Sequence, residues 1–387
     1  MFEFFIAKKH IFQKKKQSLI GILGVTIGIT VLIVSLGISN GLDKNMINSI
    51  LSLGSHISVV DTRVRKSYNA LEKEIKSINE IKGIVPKISS QGLLKYKNEY
   101  GDYVSGVKID GFDIEKADKA MDLNKRIVEG KIDLNKKNGI YIGKELYKDM
   151  MANIGDKLTL VSSENQEIPL IITGVFESGY YEYDMNMVII PLKTAQYMLY
   201  LDDEVSSLEI NLKNPYHAKK VSNILFEKYN LFNRTWGDQN RNLLSALSLE
   251  KTVMVVVFSL IILIAAFVIW VIMNMLVREK IKDIGIMRAM GISNKSVMKI
   301  FLLEGMMIGL TGIIIGIFMS LGILWILENY TLSGITSIYY ISKVPVEISY
   351  KEISVIVLLN LIVVFISSVF PAYKAGKLET MEALRHE

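Results

Sequence analysis

The chain has 387 residues, 50% of them hydrophobic, a formal charge of +6 from 45 Lys and Arg against 39 Asp and Glu, and no cysteine. The missing cysteine excludes disulfides, thiolate zinc sites, cysteine nucleophiles and lipidation of a processed cysteine. The apolar residues gather in four uncharged runs, 17–42, 252–277, 305–327 and 353–373, so the excess charge reads as the flanks of membrane spans and not as a nucleic-acid surface.

At the N-terminus, Phe2, Phe4, Phe5, Ile6, Ile11 and Phe12 alternate with lysines. This pattern predicts a short interfacial helix over 1–17, apolar face in lipid and lysines toward headgroups. The first span follows over 18–42. A bilayer core of about 30 Å takes about 20 helical residues, and every one of the four runs is long enough. The first run is too long for a signal peptide and lacks a small-x-small site near Asn40, so it is expected to stay in the chain.

Residues 43–251 must fold outside the bilayer. Lys8, Lys9 and Lys14–Lys16 precede the first run; Arg278, Lys280, Lys282, Arg288, Lys295 and Lys299 lie between the second and third; Lys374, Lys377 and Arg385 follow the fourth. The 328–352 loop has only Lys343 and Lys351, against Glu328, Glu347 and Glu352. Short loops rich in Lys and Arg stay in the cytoplasm. Both termini and the 278–304 loop are therefore expected inside, and 43–251 and 328–352 outside, in a 1+3 arrangement of spans.

Within 43–251, strands are predicted at 57–60, 92–97, 103–109, 139–142, 157–161, 169–176 and 187–190, from short β-branched runs bounded by Gly, Asp, Asn or Pro. Helices are predicted at 70–78, 144–151, 193–199 and 216–228, the last with Asn214 as N-cap and Pro215 in the first turn. The interspersed elements predict an α+β domain, with a core over about 55–190 and a smaller subdomain over about 191–240. Residues 236–250 read as a polar helix leading into the second span, 252–277. That span is about 39 Å long as a helix, so it tilts or protrudes outward and can carry motion.

The third span, 305–327, carries Gly305, Gly309, Gly312 and Gly316 on one face, and the first offers Gly21, Gly24 and Gly28. Such stripes allow close backbone approach, either within one subunit or at a dimer seam. The fourth span, 353–373, leads to the basic tail 374–387.

Catalytic chemistry is hard to find. His10, His56, His217 and His386 are scattered without ligand spacing. Gly143–Lys144 lacks the upstream glycine and following Ser or Thr of a phosphate-binding loop. Tyr180, Tyr181, Glu182, Tyr183 and Asp184 form a polar-aromatic cluster, readable as a binding edge or as an exposed turn. None of the four runs contains a charge, which argues against ion-coupled transport. The cytoplasmic loop is more informative. Arg278-Glu-Lys-Ile-Lys-Asp-Ile-Gly-Ile-Met-Arg-Ala-Met-Gly291 predicts a short amphipathic helix stopped by Gly291, with Ser293 capping the next helix. A short mixed-charge helix at this place suits docking on a soluble partner.

These segments, in this order, resemble the FtsX/MacB-like class of ABC transporter permeases, nearest the lipoprotein-releasing LolC/LolE branch. The resemblance rests on 18–41 with Leu51-x-x-Gly-Ser-His-Ile-Ser-Val59, on Gly139-Ile-Tyr-Ile-Gly143 with Ile154-Gly-Asp156, and on Trp236-Gly-Asp-Gln-Asn-Arg-Asn-Leu-Leu244 with Leu249-Glu-Lys251. It also rests on Arg278–Gly291 and on Phe370-Pro-Ala-Tyr-Lys-Ala375 with Glu382-Ala-Leu-Arg385. It implies a permease of the bacterial inner membrane with a periplasmic domain, working with a separate ABC ATPase that binds the ATP and Mg; the chain itself binds no cofactor and is no enzyme. It further implies a second protomer, self or paralogue, a lipoprotein cargo and a periplasmic chaperone.

In that resemblance, Arg278, Glu279, Lys280, Asp283, Ile284, Met287, Arg288, Met290 and Gly291 form the ATPase-coupling helix, and a charge change at Met287 or Arg288 is expected to uncouple it. Gly305, Gly309, Gly312, Gly316, Gly24 and Gly28 form the packing or dimer face. Ile27, Val31, Val34, Met254, Phe258 and Ile262 are expected to line acyl chains. Residues 162–167 are short where LolC-type chains carry a chaperone-gripping hairpin, so docking by that loop is not expected. A MacB-like efflux permease and an FtsX-like signalling permease acting on a cell-wall hydrolase stay open as alternatives.

Overall fold

The computed structural model describes residues 2–99, 101–133, 138–329 and 344–378. Most of the 328–352 loop and the Glu382–Arg385 motif lie outside the described residues. The chain divides into two compact units, Met1–Lys44 with Leu247–Glu387, and Asn45–Ala246.

The described elements run α1 (Phe2–Gln13), α2 (Lys15–Leu53), β1 (Ile57–Val59), α3 (Thr62–Ile75), β2 (Ile81–Asn98), β3 (Gly101–Phe112), α4 (Ile114–Met121), β4 (Ile127–Gly130), β5 (Gly139–Gly143) and α5 (Lys144–Asp149). They continue with β6 (Lys157–Ser162), β7 (Glu167–Phe176), α6 (Tyr181–Asn186), β8 (Met187–Pro191), α7 (Leu192–Met198), β9 (Ser207–Leu212), α8 (Ala218–Tyr229), β10 (Asn233–Thr235), α9 (Trp236–Gln239), α10 (Arg241–Glu279), α11 (Ile281–Ala289), α12 (Asn294–Asn329) and α13 (Tyr350–Lys377).

In the first unit, α2, α10, α12 and α13 are each long and apolar enough to cross a membrane. The helices α2 and α10 have 39 residues each, about 58 Å at the α-helical rise. Each therefore extends well past its apolar run. The helices cross where side chains are smallest. A Cβ on Gly312 would lie 2.7 Å from Val25 Cβ, and one on Gly316 2.9 Å from Ile29 Cβ. At these crossings Thr26 Oγ1 donates to the Gly312 carbonyl (3.1 Å) and Thr30 Oγ1 to that of Gly316 (3.3 Å). Gly305 and Gly309 meet Ser368 and Val364 of α13, while Gly24 and Gly28 meet Val268 and Ala265 of α10. These glycines are thus met by packing within the chain.

The second unit is α+β. Its strands form one sheet in the order β10-β1-β9-β2-β3-β8-β5-β7-β4, with β6 pairing β2 and β7. The β3/β8 and β5/β7 pairs are parallel. One face buries a cluster built on Ile57, Ile88, Ile109, Leu160, Ile172 and Leu225, and the other a smaller one on Val85, Phe112, Leu123, Tyr141 and Phe176.

The seven expected strands are present, most of them longer than predicted; β4, β9 and β10 were not expected. In β9, Ser207-Leu-Glu-Ile-Asn-Leu212 alternates polar and apolar residues like a strand with one wet face, yet all of its residues are buried. It also lies between β1 and β2, so residues 191–240 contribute to the same sheet as the core and form no separate subdomain of strands.

The polar face of β9 is buried against a charge cluster. Lys87 Nζ on β2 lies 3.4 Å from Asp110 Oδ2 on β3 and 3.7 Å from Glu209 Oε1 on β9. Ser89 donates to Asp110 (2.8 Å); Ser58 and Ser207 donate to Glu209 (3.0 and 2.6 Å), and Ser55 bonds its other oxygen. Burial works against the Lys87 charge, but the two carboxylates outweigh it and hold its pKa above the ordinary value. Burial likewise opposes the Asp110 charge, and Lys87, Lys108 and Ser89 together hold its carboxyl below the ordinary value.

Asp110→Asn should therefore destabilise the sheet unit by about 3 kcal/mol near neutral pH, since Lys87 stays buried with one carboxylate instead of two. A carboxyl with a depressed folded pKa stabilises above its unfolded value of 3.8 and loses that contribution as pH falls through the folded value. The substituted chain should show a smaller loss of thermal stability on acidification, measured by the melting midpoint from pH 6 downward.

Candidate coupling site

The cytoplasmic-loop motif folds as a helical turn-back. Helix α10 ends at Glu279, Lys280 breaks the helical path, α11 follows, and Gly291 at φ +91° ends it in the left-handed region that favours glycine. Ser293 then accepts from the Ser296 N–H (3.2 Å) as the cap of α12. Two polar clamps hold this corner. Lys280 Nζ is buried and donates to Asp283 (2.7 Å) and Gln13 (2.9 Å). Glu279 accepts from Lys14 (2.7 Å) and Gln17 (2.9 Å). The start of α2 and the end of α1 therefore brace the turn.

The two faces of α11 differ. Ile284, Gly285 and Met287 are buried, and Ile284 and Met287 pack into the helix core with Ile300 and Phe301. Lys282, Ile286, Ala289 and Met290 are exposed, with Ile286 at 52% and Met290 at 70%. Spaced by four, three and one residues, these four share one helix face. Two free aliphatic side chains beside Lys282 and the exposed Arg278 make a small amphipathic surface.

This corrects the expectation for Met287 and Arg288. Met287 is 7% exposed and belongs to the core. Arg288 is half-buried and donates from Nη1 to the Ile292 carbonyl (3.3 Å), tying its helix to the loop that follows. Because 278–291 has apolar residues on every side of the helix, periodicity could not select the outward face.

The structure adds a pair that the sequence reading missed. Helix α1 turns Ala7 and His10 inward, and His10 Nδ1 lies 3.5 Å from Glu304 Oε2 on α12. Glu304 is fully buried, its ring neighbour His10 stands against Phe301, and neither carboxylate oxygen has a hydrogen-bond donor among the described residues. Glu304 sits one residue before the run counted from Gly305, which hid a buried carboxyl flanked by apolar residues on both sides. The signal was its setting between Leu303 and Met306.

The six residues expected to line acyl chains differ in exposure. Ile27 and Val31 of α2 point outward, but Val34, Phe258 and Ile262 pack against the helix core and Met254 is half-buried. The outward face of α10 is instead built from Val256, Leu260, Leu263, Ile264 and Phe267.

In the Tyr180–Asp184 cluster, Asp184 has a structural role while Tyr181 and Glu182 are exposed. The cluster opens α6, and buried Asp184 accepts from the backbone N–H groups of Ser178 (2.7 Å) and Gly179 (3.2 Å). Residues 162–167 form a tight turn with Asn165 at φ +58°, as short as expected. Among the described residues no His, Asp or Glu group could hold a metal ion.

The family described as "FtsX-like permease C-terminal" matches residues 255–380, and the one described as "MacB-like periplasmic core domain" matches 18–225. Among curated proteins, "Lipoprotein-releasing system transmembrane protein LolC" of Xylella fastidiosa (strain 9a5c) is 29% identical over 395 residues, covering 96% of this chain and 94% of the relative. The LolC protein of Neisseria meningitidis serogroup B is 27% identical over 424 residues, covering 100% and 99%. The LolE protein of Haemophilus influenzae is 25% identical over 416 residues, covering 98% of each.

The His10–Glu304 contact yields a double-mutant test. His10→Leu and Glu304→Leu, made singly, each leave one polar group buried without its neighbour and should cost about 2 kcal/mol. The double substitution should cost less than the sum of the two. Thermal midpoints of the four purified chains measure this, and strictly additive losses would mean that the contact fixes nothing.

Proposed function

The chain belongs to the FtsX-like permeases that carry a MacB-like periplasmic core domain, and from that premise we propose that it is the permease subunit of an ATP-driven transporter that releases lipoproteins from the inner membrane. Names of relatives along nearly the whole chain support this reading: each is called a component of a lipoprotein-releasing system. In this reading the α+β unit is inserted between the first and second of four spans and stands in the periplasm. Both termini and the 278–304 loop lie in the cytoplasm.

The observation that carries the coupling role is the exposed Ile286–Met290 face of α11. The sequence holds no G-x-x-x-x-G-K-S/T run. In this reading the energy comes from a separate ABC ATPase subunit, which holds the ATP and Mg. The outward face of α11 docks into a groove of that subunit, and the clamps from Gln13 and Lys14 keep the docked helix rigid on α10 and α12. Closure of the ATPase is passed along α10, which is helical without a break from Arg241 to Glu279. A second permease protomer completes the assembly, a lipoprotein is the cargo, and a soluble periplasmic chaperone receives it.

Ile286→Asp and Met290→Asp should abolish copurification of the ATPase while changing the chain's own stability by less than about 0.5 kcal/mol, because both side chains are exposed. Met287→Asp should instead destabilise the membrane unit itself. For the transport step, the chain is reconstituted with its ATPase and an acylated lipoprotein, with chaperone outside. ATP-dependent appearance of lipoprotein in the soluble fraction is the expected result. An intact ATPase complex that releases none, and whose turnover rises with small amphiphiles, would replace this reading with efflux.

A further inference from the structure

The sheet unit contains a cationic cleft that the coupling role does not use. It measures about 630 Å³, and a smaller lobe of about 370 Å³ shares Asn48, Lys125 and Arg126 with it. Lys82, Lys125, Arg126 and Lys213 line the larger lobe, against Asp122 as its one carboxylate. Asp122 is shared between Lys82 (2.6 Å) and Lys125 (3.0 Å). In the smaller lobe, Glu177 is already engaged by Lys144 (2.7 Å). Among the described residues no carboxylate pairs with Arg126, and Lys213 donates only to the neutral Asn79 amide (3.2 Å). The cleft thus carries a net positive charge with a guanidinium to spare.

Two neutral groups refine the ligand. His56 Nδ1 accepts from the Leu212 N–H (2.8 Å), and burial, with Lys82 nearby, lowers its pKa to about 4. The ring is therefore neutral at physiological pH with its proton on Nε2, a further donor on the cleft wall. Asn211 also lines the cleft; it is 3% exposed, and its side-chain oxygen has no donor among the described residues. A ligand that offers a phosphate to the cations and a hydroxyl to Asn211 answers both.

We propose that this cleft binds the glycerol-phosphate headgroup of an anionic phospholipid. The source is argued from α2 alone. Asn48 on the cleft wall stands six residues after Leu42, the last residue of the first uncharged run, about 9 Å further along the same helix. With Leu42 at the edge of the apolar core, that reaches the outer limit of a headgroup layer of about 5–8 Å per leaflet, on the reading that α2 crosses the bilayer.

The test uses the full chain in neutral detergent, without ATPase or cargo, so that its outcome is independent of lipoprotein release. Short-chain phosphatidylglycerol should bind at least tenfold more tightly than short-chain phosphatidylcholine, and this preference should shrink as salt is raised. Arg126→Gln and Lys213→Gln should each weaken phosphatidylglycerol about fivefold, and together about twentyfold, while Arg126→Lys keeps most of the affinity. Equal binding of the two lipids by the unaltered chain, or no loss in the folded double variant, overturns the proposal. Glycerol phosphate or inorganic phosphate binding as tightly as the lipid would show a free-phosphate site, and an acidic peptide doing so would show a peptide site; either result overturns the lipid assignment.

Discussion

The membrane unit depends on one long-range contact: the crossing of α2 and α12 at Gly312 and Gly316. Thr26 and Thr30 donate to carbonyls 286 residues further along the chain. Between two helices in lipid there is no hydrophobic gain from association, since aliphatic tails are as apolar as leucine. Close backbone approach and interhelical hydrogen bonds must supply the attraction. A side chain at either glycine would strike Val25 or Ile29 and separate the helices. The contact also determines what the remaining helices can do, because Gly305 and Gly309 on the same helix receive α13.

The sheet unit solves a different problem with charge. Lys87, Asp110 and Glu209 come from three strands that are adjacent only in the order β9-β2-β3. Buried ions are costly unless they are paired and hydrogen-bonded, and here four serines donate to the carboxylates beside Lys87. A register slip in β9 would move Glu209 to the opposite face and strand the lysine, so the cluster specifies pairing as well as stability. The same buried polar face explains why β9 escaped recognition as an internal strand.

The turn-back at α11 combines the two kinds of constraint. Its buried residues anchor to the helix core, its corner is held by Lys280 and Glu279, and its remaining face is left open. A surface presented in this way on a braced helix can receive force without giving way locally. The His10–Glu304 pair places α1 against α12, so the N-terminal segment is a packed part of the unit as well as an amphipathic one.

Several features were legible without coordinates. Four apolar runs, the α+β character of 43–251, the helix stop at Gly291 and the cap at Ser293 follow from local chemistry: hydropathy over a membrane's thickness, alternation, a residue free to adopt positive φ, and a hydroxyl before a helix. Faces and partners could not be read this way. Met287 and Met290 have the same side chain three residues apart, and only the packing of α11 puts one in the core and leaves the other at 70% exposure. Gly312 meeting α2 and Gly309 meeting α13, Glu304 lying under α1, and the closing of β9 between β1 and β2 are likewise decided by contacts between distant segments. A single chain's local pattern states how much surface each segment must bury, but the segment that buries it is selected by shape and charge at long range.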